Sequence, residues 1–446
     1  MSHGDEEEEF EELEQVLFQG PLYGREANLK KNPRLVQAGL IPVKKMISDA
    51  LARRGHTITL DPSSGRILVR IVVDGIPYAA GTLPSKRGAA VVQMVKLLAG
   101  LDTQNRVEPQ DGGIQVEFDG EEYRLLVNTT PIRGAAERLR IRVEDVKKSV
   151  IRPTDVGFPE DLKEKLQSLT QDANGIILAC GPPESGVTSL SMVMLHCMDP
   201  YLYSVYNMAE IGDRQLVNVA KFEPEEGHDL ELNLDRIIRQ QGDAVFMGEV
   251  KDPQEAQLLF EYADRLSFFG EIKAMTPVEA VRTLIDWVGV DQVLRRLKCI
   301  ITQKLIRRFC DDCKQAYRPS PQLLKRLGLP RETTVLYRPP APPPDDDPNA
   351  PTIAEMCADC DGAPYYGRAA AYELFEMTDE MKEVVAEGVD PAVMRKQMIS
   401  QKQRTLQQDA LRLVVAGTTS LEELQRVFSP SRRKRKPGQR QRRRPQ

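Results

Sequence analysis

The first part of the chain shows apolar residues at both helical and strand-like spacings. Apolar side chains recur at helical spacing over residues 42–55, and Gly55 closes the pattern, so a helix is predicted there. Asp74-Gly75 and Asp119-Gly120 are dipeptides that favour tight turns between strands. The other elements predicted in this region are the strands 57–60, 66–73, 113–118 and 122–129 and the helix 86–99.

From residue 175 the pattern changes to short, fully apolar runs that alternate with helical segments. The runs at 175–180 and 244–247 are the clearest buried strands. This alternation is typical of an α/β domain with a mostly parallel sheet. Residues 379–428 read as helical, and the sequence T-T-S-L-E-E-L-Q at 418–425 predicts a capped last helix.

Length and composition favour a folded protein of two or three domains. The chain has 446 residues, of which 41% are hydrophobic and 28% are charged. These values argue against wholesale disorder, and seven cysteines are too few for a secreted disulfide framework. We find no run of 18 apolar residues, and the acidic N-terminus does not resemble a secretory signal. The sequence therefore predicts a soluble cytoplasmic protein.

Opposite charges are concentrated at the two ends of the chain. Residues 5–14 carry eight carboxylates and no base, whereas residues 431–446 carry nine bases and no acid. Both segments are predicted to be disordered because neither can bury apolar area. The basic tail suits nucleic acid, anionic lipid or an acidic partner. The plainer alternative is a solvated tether that touches the acidic N-terminus of a neighbouring subunit.

A glycine-rich loop follows the first buried strand at residues 181–189, G-P-P-E-S-G-V-T-S. Gly181 and Gly186 have the spacing of a phosphate-binding loop, and Thr188 stands where a hydroxyl meets magnesium. Val187, however, replaces the lysine that contacts the β- and γ-phosphates and stabilises the transition state. The loop therefore predicts weakened binding of ATP and magnesium. The alternative is a strand–turn–helix with glycines at this spacing by chance.

Two more residues of the loop oppose phosphate binding. Glu184 adds a carboxylate where amides should face an anion, and Pro183 removes one N–H donor. The candidate nucleotide-binding residues are nonetheless Gly181, Pro182, Pro183, Glu184, Ser185, Gly186, Val187, Thr188 and Ser189.

Four of the seven cysteines form two C-x-x-C pairs, Cys310/Cys313 and Cys357/Cys360. Two such pairs predict a closed tetrahedral zinc site of structural type, with free thiols or a redox pair as the alternative. The 43 residues between them include a Pro/Asp-rich stretch at 338–351, which is predicted to loop out. The remaining cysteines, Cys180, Cys197 and Cys299, lie in apolar runs and are predicted to be small buried side chains.

Several segments in a fixed order resemble the secretion ATPases of type II secretion and type IV pilus assembly, and the resemblance runs from about residue 40 to 430. The segments are L-A-G-L-D (98–102), P-Q-D-G (109–112), R-Q-Q-G-D-A-V-F-M-G-E-V-K-D (239–252), R-T-L-I-D-W-V-G-V (282–290), Q-K-L-I-R-R-F-C-D-D-C (303–313), C-A-D-C-D-G-A-P-Y-Y-G-R (357–368) and A-L-R-L-V-V-A-G-T-T-S-L-E-E-L (410–424).

This resemblance implies roles for a few residues and exposes departures from the family. Glu249 matches the glutamate that ends the Walker B strand and orients water or helps to hold magnesium. Ala209 and Glu210 stand where the family has an acidic pair, and Asp213 where a later glutamate sits. The family's two box histidines are replaced by Leu266 and Lys273. Glu210 is thus a surviving catalytic candidate. Lys273 is either a relocated catalytic cation or an ordinary surface lysine.

The resemblance implies a RecA-like α/β P-loop domain, preceded by a smaller α+β module and followed by a zinc-binding insertion and C-terminal helices. The predicted segments are an acidic segment 1–39, the α+β module 40–145, a linker 146–174, the P-loop domain 175–305, the tetracysteine element 306–370, the helical segment 371–430 and the basic tail 431–446.

Three functional hypotheses follow. The first is a catalytically impaired pseudo-ATPase that serves as a structural or regulatory subunit of a secretion or pilus machine. The second is a divergent active motor with a relocated cation, and the third is a scaffold that tethers nucleic acid through its basic tail. The family implies a homo- or hetero-hexamer with ATPase relatives. It also implies a peripheral position at the inner membrane through platform proteins.

Overall fold

The structure, a computed structural model, describes residues 15–132, 136–149, 152–199, 201–212, 214–341, 357–360 and 362–429. Within these residues no helix is both long and apolar enough to cross a membrane. The chain divides into two compact units. The first comprises the residues up to Gly175 together with Thr188–Lys251 and Glu261–Glu271; the second comprises Ile176–Val187, Asp252–Phe260 and the residues from Ile272 onward.

The first unit begins with a two-layer module of one sheet and two helices. Its strands are β1 (Leu17–Pro21), β2 (Thr57–Ser63), β3 (Arg66–Val73), β4 (Ile76–Pro84), β5 (Gln110–Phe118), β6 (Glu121–Ile132) and β7 (Ala136–Asp145). They form an antiparallel sheet in the order β1-β5-β6-β7-β2-β3-β4. Helices α1 (Pro33–Ala52) and α2 (Ser85–Leu98) cover one face, where apolar side chains of both layers form a single core.

Ordered structure begins earlier than the sequence predicted. β1 lies inside the segment 1–39, which we expected to be disordered, because it gains its hydrogen bonds from the sheet edge at β5. α1 begins at Pro33 rather than at residue 42, and Pro42 lies within the helix. The acidic residues 5–14 lie outside the described residues.

Besides β1, two further strands of this module, β4 and β7, were not predicted. β4 is exposed along most of its length, so it lacks the apolar alternation that marks a strand with one buried face. β7 does alternate, with arginines at the exposed positions and apolar residues at the buried ones, and its signal was overlooked. Both strands depend on their neighbours for hydrogen bonds.

A parallel ladder forms the rest of the first unit. Its strands are β9 (Val205–Asn207), β10 (Ala220–Lys221), β11 (Ala244–Glu249) and β12 (Ser267–Glu271), in the order β10-β9-β11-β12. The helices of this region are α3 (Glu160–Leu169), α4 (Val187–Leu195) and α5 (Leu230–Arg239). The predicted strand 244–247 therefore continues to Glu249.

The second unit is built on β8 (Gly175–Cys180), β13 (Leu297–Arg307) and β16 (Arg368–Glu376). β13 pairs parallel with β8 and antiparallel with β16. A two-stranded sheet, β14 (Gln315–Tyr317) and β15 (Leu336–Arg338), lies near the cysteines. The helices are α6 (Pro253–Tyr262), α7 (Pro277–Val288), α8 (Val290–Arg296), α9 (Pro321–Leu327), α10 (Asp379–Glu387), α11 (Pro391–Ser400), α12 (Leu406–Val415) and α13 (Leu421–Phe428).

These elements confirm the predicted fold class, an α/β domain preceded by an α+β module and followed by C-terminal helices. The predicted cap of the last helix is also present, since the Ser420 side chain accepts a hydrogen bond from the backbone of Glu423. Most of the Pro/Asp-rich stretch and the basic tail 431–446 lie outside the described residues.

A buried glutamate ties the last helix to β13. The side chain of Glu423 is fully buried and accepts hydrogen bonds from Arg307 at 2.8 and 3.1 Å and from Arg426 at 2.5 and 2.7 Å. Burial opposes ionisation, but the hydrogen bonds from Arg426 and Arg307 outweigh it and hold the pKa of Glu423 below its usual value. The ionised carboxylate therefore stabilises the fold.

We expect Glu423→Gln to destabilise the protein by about 3 kcal/mol, because two arginines lose their charged partner. Because the folded-state pKa is lowered, this contribution is complete above the pKa of an unfolded glutamate, about 4.3, and disappears as pH falls through the folded value. Thermal unfolding at neutral and at acidic pH measures both effects. Glu422→Gln, at an exposed neighbouring position, is the matched control; equal melting temperatures for the two variants would contradict the assignment.

Candidate functional site

The glycine-rich loop connects a strand to a helix, as predicted. β8 ends at Cys180 and α4 begins at Val187. The backbone N–H of Gly181 donates to the carbonyl of Ala274 at 3.0 Å, which anchors the start of the loop. Gly186 has a φ of +81°, a conformation that glycine adopts without strain. The loop therefore has the strand–turn–helix setting of a phosphate-binding loop.

Gln303 on β13 holds the loop in place. Its side-chain amide donates to the carbonyl of Ser185 at 2.6 Å and to the carbonyl of Gly186 at 3.2 Å. The side chain is nearly inaccessible, with the residue 4% exposed. A Cβ at Gly181 would lie 2.7 Å from the Gln303 carbonyl oxygen, so the close approach requires glycine. The sequence analysis did not single out Gln303, although it begins one of the segments that resemble the family.

A half-buried carboxylate, that of Glu271, engages the hydroxyl that was expected to hold magnesium. Thr188 Oγ1 donates to Glu271 Oε2 at 3.0 Å, and Ser191 Oγ donates to Glu271 Oε1 at 3.1 Å. Both hydroxyls belong to the first half of α4, and Glu271 is the last residue of β12. The N-terminal end of a helix favours an anion, and here the protein itself supplies one.

Glu271 has a second acidic residue beside it. Glu249 ends the neighbouring strand β11, and its Cα is in register with that of Glu271. Burial is the main cause that raises the pKa of Glu271 above its usual value, and the negative charge of Glu249 acts in the same direction. The hydroxyls of Thr188 and Ser191 counteract this in part. The carboxyl ends of two parallel strands thus place two carboxylates side by side.

The other predicted catalytic residues differ in their surroundings. Glu210 lies beyond the end of β9 and has an exposed side chain. Lys273 follows β12 and is also exposed. Asp213 lies outside the described residues. The structure therefore brings Thr188 and Glu249 close to one carboxylate, Glu271, which the sequence analysis did not consider. The available sequence signal for Glu271 was its place at the end of a strand, two residues before Lys273, which stands where the family has a box histidine.

The four paired cysteines converge as predicted. All four Sγ atoms lie within 4.8 Å of one another. The Sγ atoms of Cys310 and Cys357 are 3.8 Å apart, and those of Cys313 and Cys360 are 3.5 Å apart. A tetrahedral ion with sulfur ligands at about 2.3 Å needs sulfur atoms about 3.8 Å apart. The arrangement therefore fits a metal ion held by four thiolates.

The three remaining cysteines are buried, as predicted. Burial raises the pKa of the Cys180 thiol to about 12 and that of the Cys197 thiol to about 12. Burial therefore favours the protonated form of these two thiols at neutral pH. They act as small packing residues.

The fold and the loop together define an α/β protein in which a buried strand leads through a glycine-rich loop into a helix. The family described as "Type II/IV secretion system protein" matches residues 37–426. This match spans most of the chain, so the protein belongs to that family. The resemblance inferred from the sequence segments is thereby confirmed.

Two curated relatives are similar over most of this chain. The type IV pilus assembly ATPase PilB of Thermus thermophilus is 25% identical over 394 residues, which are 86% of this chain and 42% of PilB. The type II secretion system protein E of Xanthomonas campestris pv. campestris is 27% identical over 394 residues, which are 86% of this chain and 66% of the relative. The chain thus spans less than two thirds of the length of either relative.

A solved structure supports the fold. The X-ray structure of the Legionella pneumophila ATPase DotB superposes on this chain with a TM-score of 0.54. The superposition covers 87% of this chain and 95% of the DotB chain. The two sequences are 14% identical, so the likeness concerns the fold alone.

Proposed function

We propose that this protein is a catalytically impaired member of its family that serves as a structural or regulatory subunit of a secretion or pilus machine. The observation that carries this proposal is the pair of hydrogen bonds from Thr188 and Ser191 to Glu271. In an intact phosphate loop, the hydroxyl at the position of Thr188 binds magnesium. Here that hydroxyl already has a charged acceptor within the protein.

The charge balance of the loop supports the same proposal. Val187 leaves the phosphates without the loop lysine, whereas Glu184 adds a carboxylate to the loop. Losing one charge-assisted contact costs about 1.5–3 kcal/mol in binding, which corresponds to about 10- to 150-fold. Losing a donor that acts in the transition state typically costs about 100- to 1000-fold in rate.

We infer the assembly in which the protein takes part from the names of its relatives. The relatives are named as a pilus assembly ATPase and a type II secretion protein. We infer that this chain joins a hexamer, alone or with an active relative, on the cytoplasmic side of the inner membrane. Contact with the membrane would be made through platform proteins of the machine. The subunit would contribute its fold and its surfaces rather than a chemical step.

We expect the wild-type protein to show no magnesium-dependent ATP hydrolysis above background and weak Mg–ATP binding. Val187→Lys alone should not restore binding, because Glu271 still engages Thr188. Val187→Lys combined with Glu271→Ala should bind Mg–ATP at least about tenfold more tightly than either single variant. Calorimetric titration measures the binding, and phosphate release measures the turnover.

A matched control combines Val187→Lys with Glu210→Ala, which removes an exposed carboxylate instead. This variant should bind no better than Val187→Lys alone. Turnover by the wild type that vanishes in Glu249→Gln would contradict the proposal. If Lys273→Ala also abolished that turnover, the protein would be an active motor with a relocated cation.

For the cysteine cluster we propose zinc, because four thiolates in a closed tetrahedral shell are typical of structural zinc sites. Purified protein should contain about one zinc ion per chain, and chelation should lower the melting temperature. Cys360→Ala should lose the metal. Cys299→Ala, at a buried cysteine outside the cluster, should retain it. Full metal content in Cys360→Ala would rule out the site.

A further inference from the structure

A cleft opens in the N-terminal module where α2 meets the turn between β2 and β3 and the ends of β6 and β7 that carry Ile132 and Ala136. Its volume is about 400 Å³, which lies within the range of sites that bind small molecules. The residues that line it lie between Pro62 and Glu137, so none of them belongs to the glycine-rich loop or to the cysteine cluster. Neither of those two sites therefore explains this cleft.

A buried ion pair supports one wall of the cleft. Lys96 Nζ lies 2.6 Å from Glu137 Oε1, and the two side chains are 0% and 2% exposed. Lys96 also donates to the backbone carbonyl of Asn105 at 2.6 Å. Removal of either partner of such a pair would leave an uncompensated buried charge, so the pair is costly to break. It therefore fixes Glu137, which lines the cleft, and anchors the loop that continues into Arg106.

Gln93 lines the cleft with only one end of its side-chain amide satisfied. Its Nε2 donates to Glu137 Oε2 at 2.9 Å. This hydrogen bond sets the orientation of the amide, because a flipped amide would place its oxygen against the carboxylate. The oxygen Oε1 is buried and accepts no hydrogen bond from the described part of the chain. An unsatisfied buried acceptor is unfavourable, so a ligand that brings an N–H or O–H donor to this wall gains a contact.

The cleft is also lined by groups that attract an anion. Arg66, at the start of β3, and Arg106, on the loop after α2, both line it and are exposed. Ser85, another lining residue, is the first residue of α2. This helix begins with neither a side-chain cap nor an acidic residue in its first turn, so its first N–H groups and its dipole favour a negative charge.

These features specify a ligand with two kinds of group. Two guanidinium groups and a helix N-terminus suit a phosphate group, which accepts several charge-assisted hydrogen bonds at once. At the Gln93 wall the charge of Glu137 is already balanced by Lys96. That wall therefore favours a neutral donor over a second cation.

We propose that the cleft binds a small phosphate ester whose organic part donates an N–H or O–H group to Gln93. Sugar phosphates and nucleoside monophosphates with an amino group share this chemistry, and the volume of the cleft suits either of them. The bound ester would join α2 to the ends of four neighbouring strands, β6, β7, β2 and β3. It would thereby stabilise the N-terminal module, whether or not the glycine-rich loop binds nucleotide.

Calorimetric titration of the full-length protein tests the proposal, with glucose 6-phosphate and AMP as the two probes. The buffer contains no magnesium, which disfavours binding at the glycine-rich loop. We expect one saturable site per chain with a dissociation constant below about 1 mM for at least one probe, together with a rise in melting temperature. The probe that binds more tightly identifies the source of the ester. Absence of saturable binding by both probes would overturn the proposal.

Matched ligands test the donor that Gln93 requires. Cyclohexylmethyl phosphate has the ring and the phosphate of glucose 6-phosphate but no hydroxyl groups. Purine riboside monophosphate lacks only the amino group of AMP. The matched ligand of the tighter probe should bind at least about tenfold more weakly than that probe, because it leaves the Gln93 oxygen unsatisfied. Equal affinities would show an anion site without a role for Gln93 and would contradict the proposed class of ligand.

Substitutions locate the site. Arg66→Ala combined with Arg106→Ala should weaken binding of the tighter probe at least about tenfold, because two charged donors are lost. Arg34→Ala with Lys45→Ala removes two exposed positive charges from α1, outside the cleft, and should leave the affinity unchanged. If the first variant folds poorly, Arg106→Gln alone should still weaken binding at least about threefold. Unchanged affinity in the Arg66 and Arg106 variants, or an equal loss in the control, would place the bound ester elsewhere and overturn the proposal.

Discussion

The contact between Glu271 and the first half of α4 is the interaction on which the proposed loss of catalysis depends. A helix that follows a glycine-rich loop normally presents its N-terminus to a bound phosphate. Here a desolvated carboxylate accepts hydrogen bonds from Thr188 and Ser191. The Thr188 hydroxyl, which was expected to bind magnesium, thus already donates a hydrogen bond to the carboxylate of Glu271.

The glycine-rich loop keeps the strand–turn–helix setting of a phosphate-binding loop, although Val187 stands at the lysine position. The Gln303 side chain donates hydrogen bonds to two backbone carbonyls of the loop. Gly181 allows the loop to approach the backbone carbonyl oxygen of Gln303. Glu249 still ends a buried strand beside Glu271. In the second unit, Glu423 joins the last helix to β13.

Local sequence patterns were sufficient for the framework and for the cysteine cluster. The buried strands at 175–180 and 244–247, the cap at Ser420 and the two C-x-x-C pairs each have a short-range signal. β1 has no such signal because it depends on hydrogen bonds to β5, which is distant in sequence. β4 has none because it lacks a buried face. Glu271 was missed because its role arises from contacts with residues about 80 positions away. The replacement of the loop lysine by Val187 is visible in the sequence, but the contact between Thr188 and Glu271 is not.

The most direct test of this account is a crystal structure of the wild-type protein grown with millimolar magnesium and a non-hydrolysable ATP analogue. The account predicts that Thr188 and Ser191 still donate to Glu271 and that no magnesium ion contacts the Thr188 hydroxyl. A magnesium ion bound to Thr188, with Glu271 turned away or serving as one of its ligands, would contradict the central claim. It would show that the carboxylate belongs to an active site rather than replacing one.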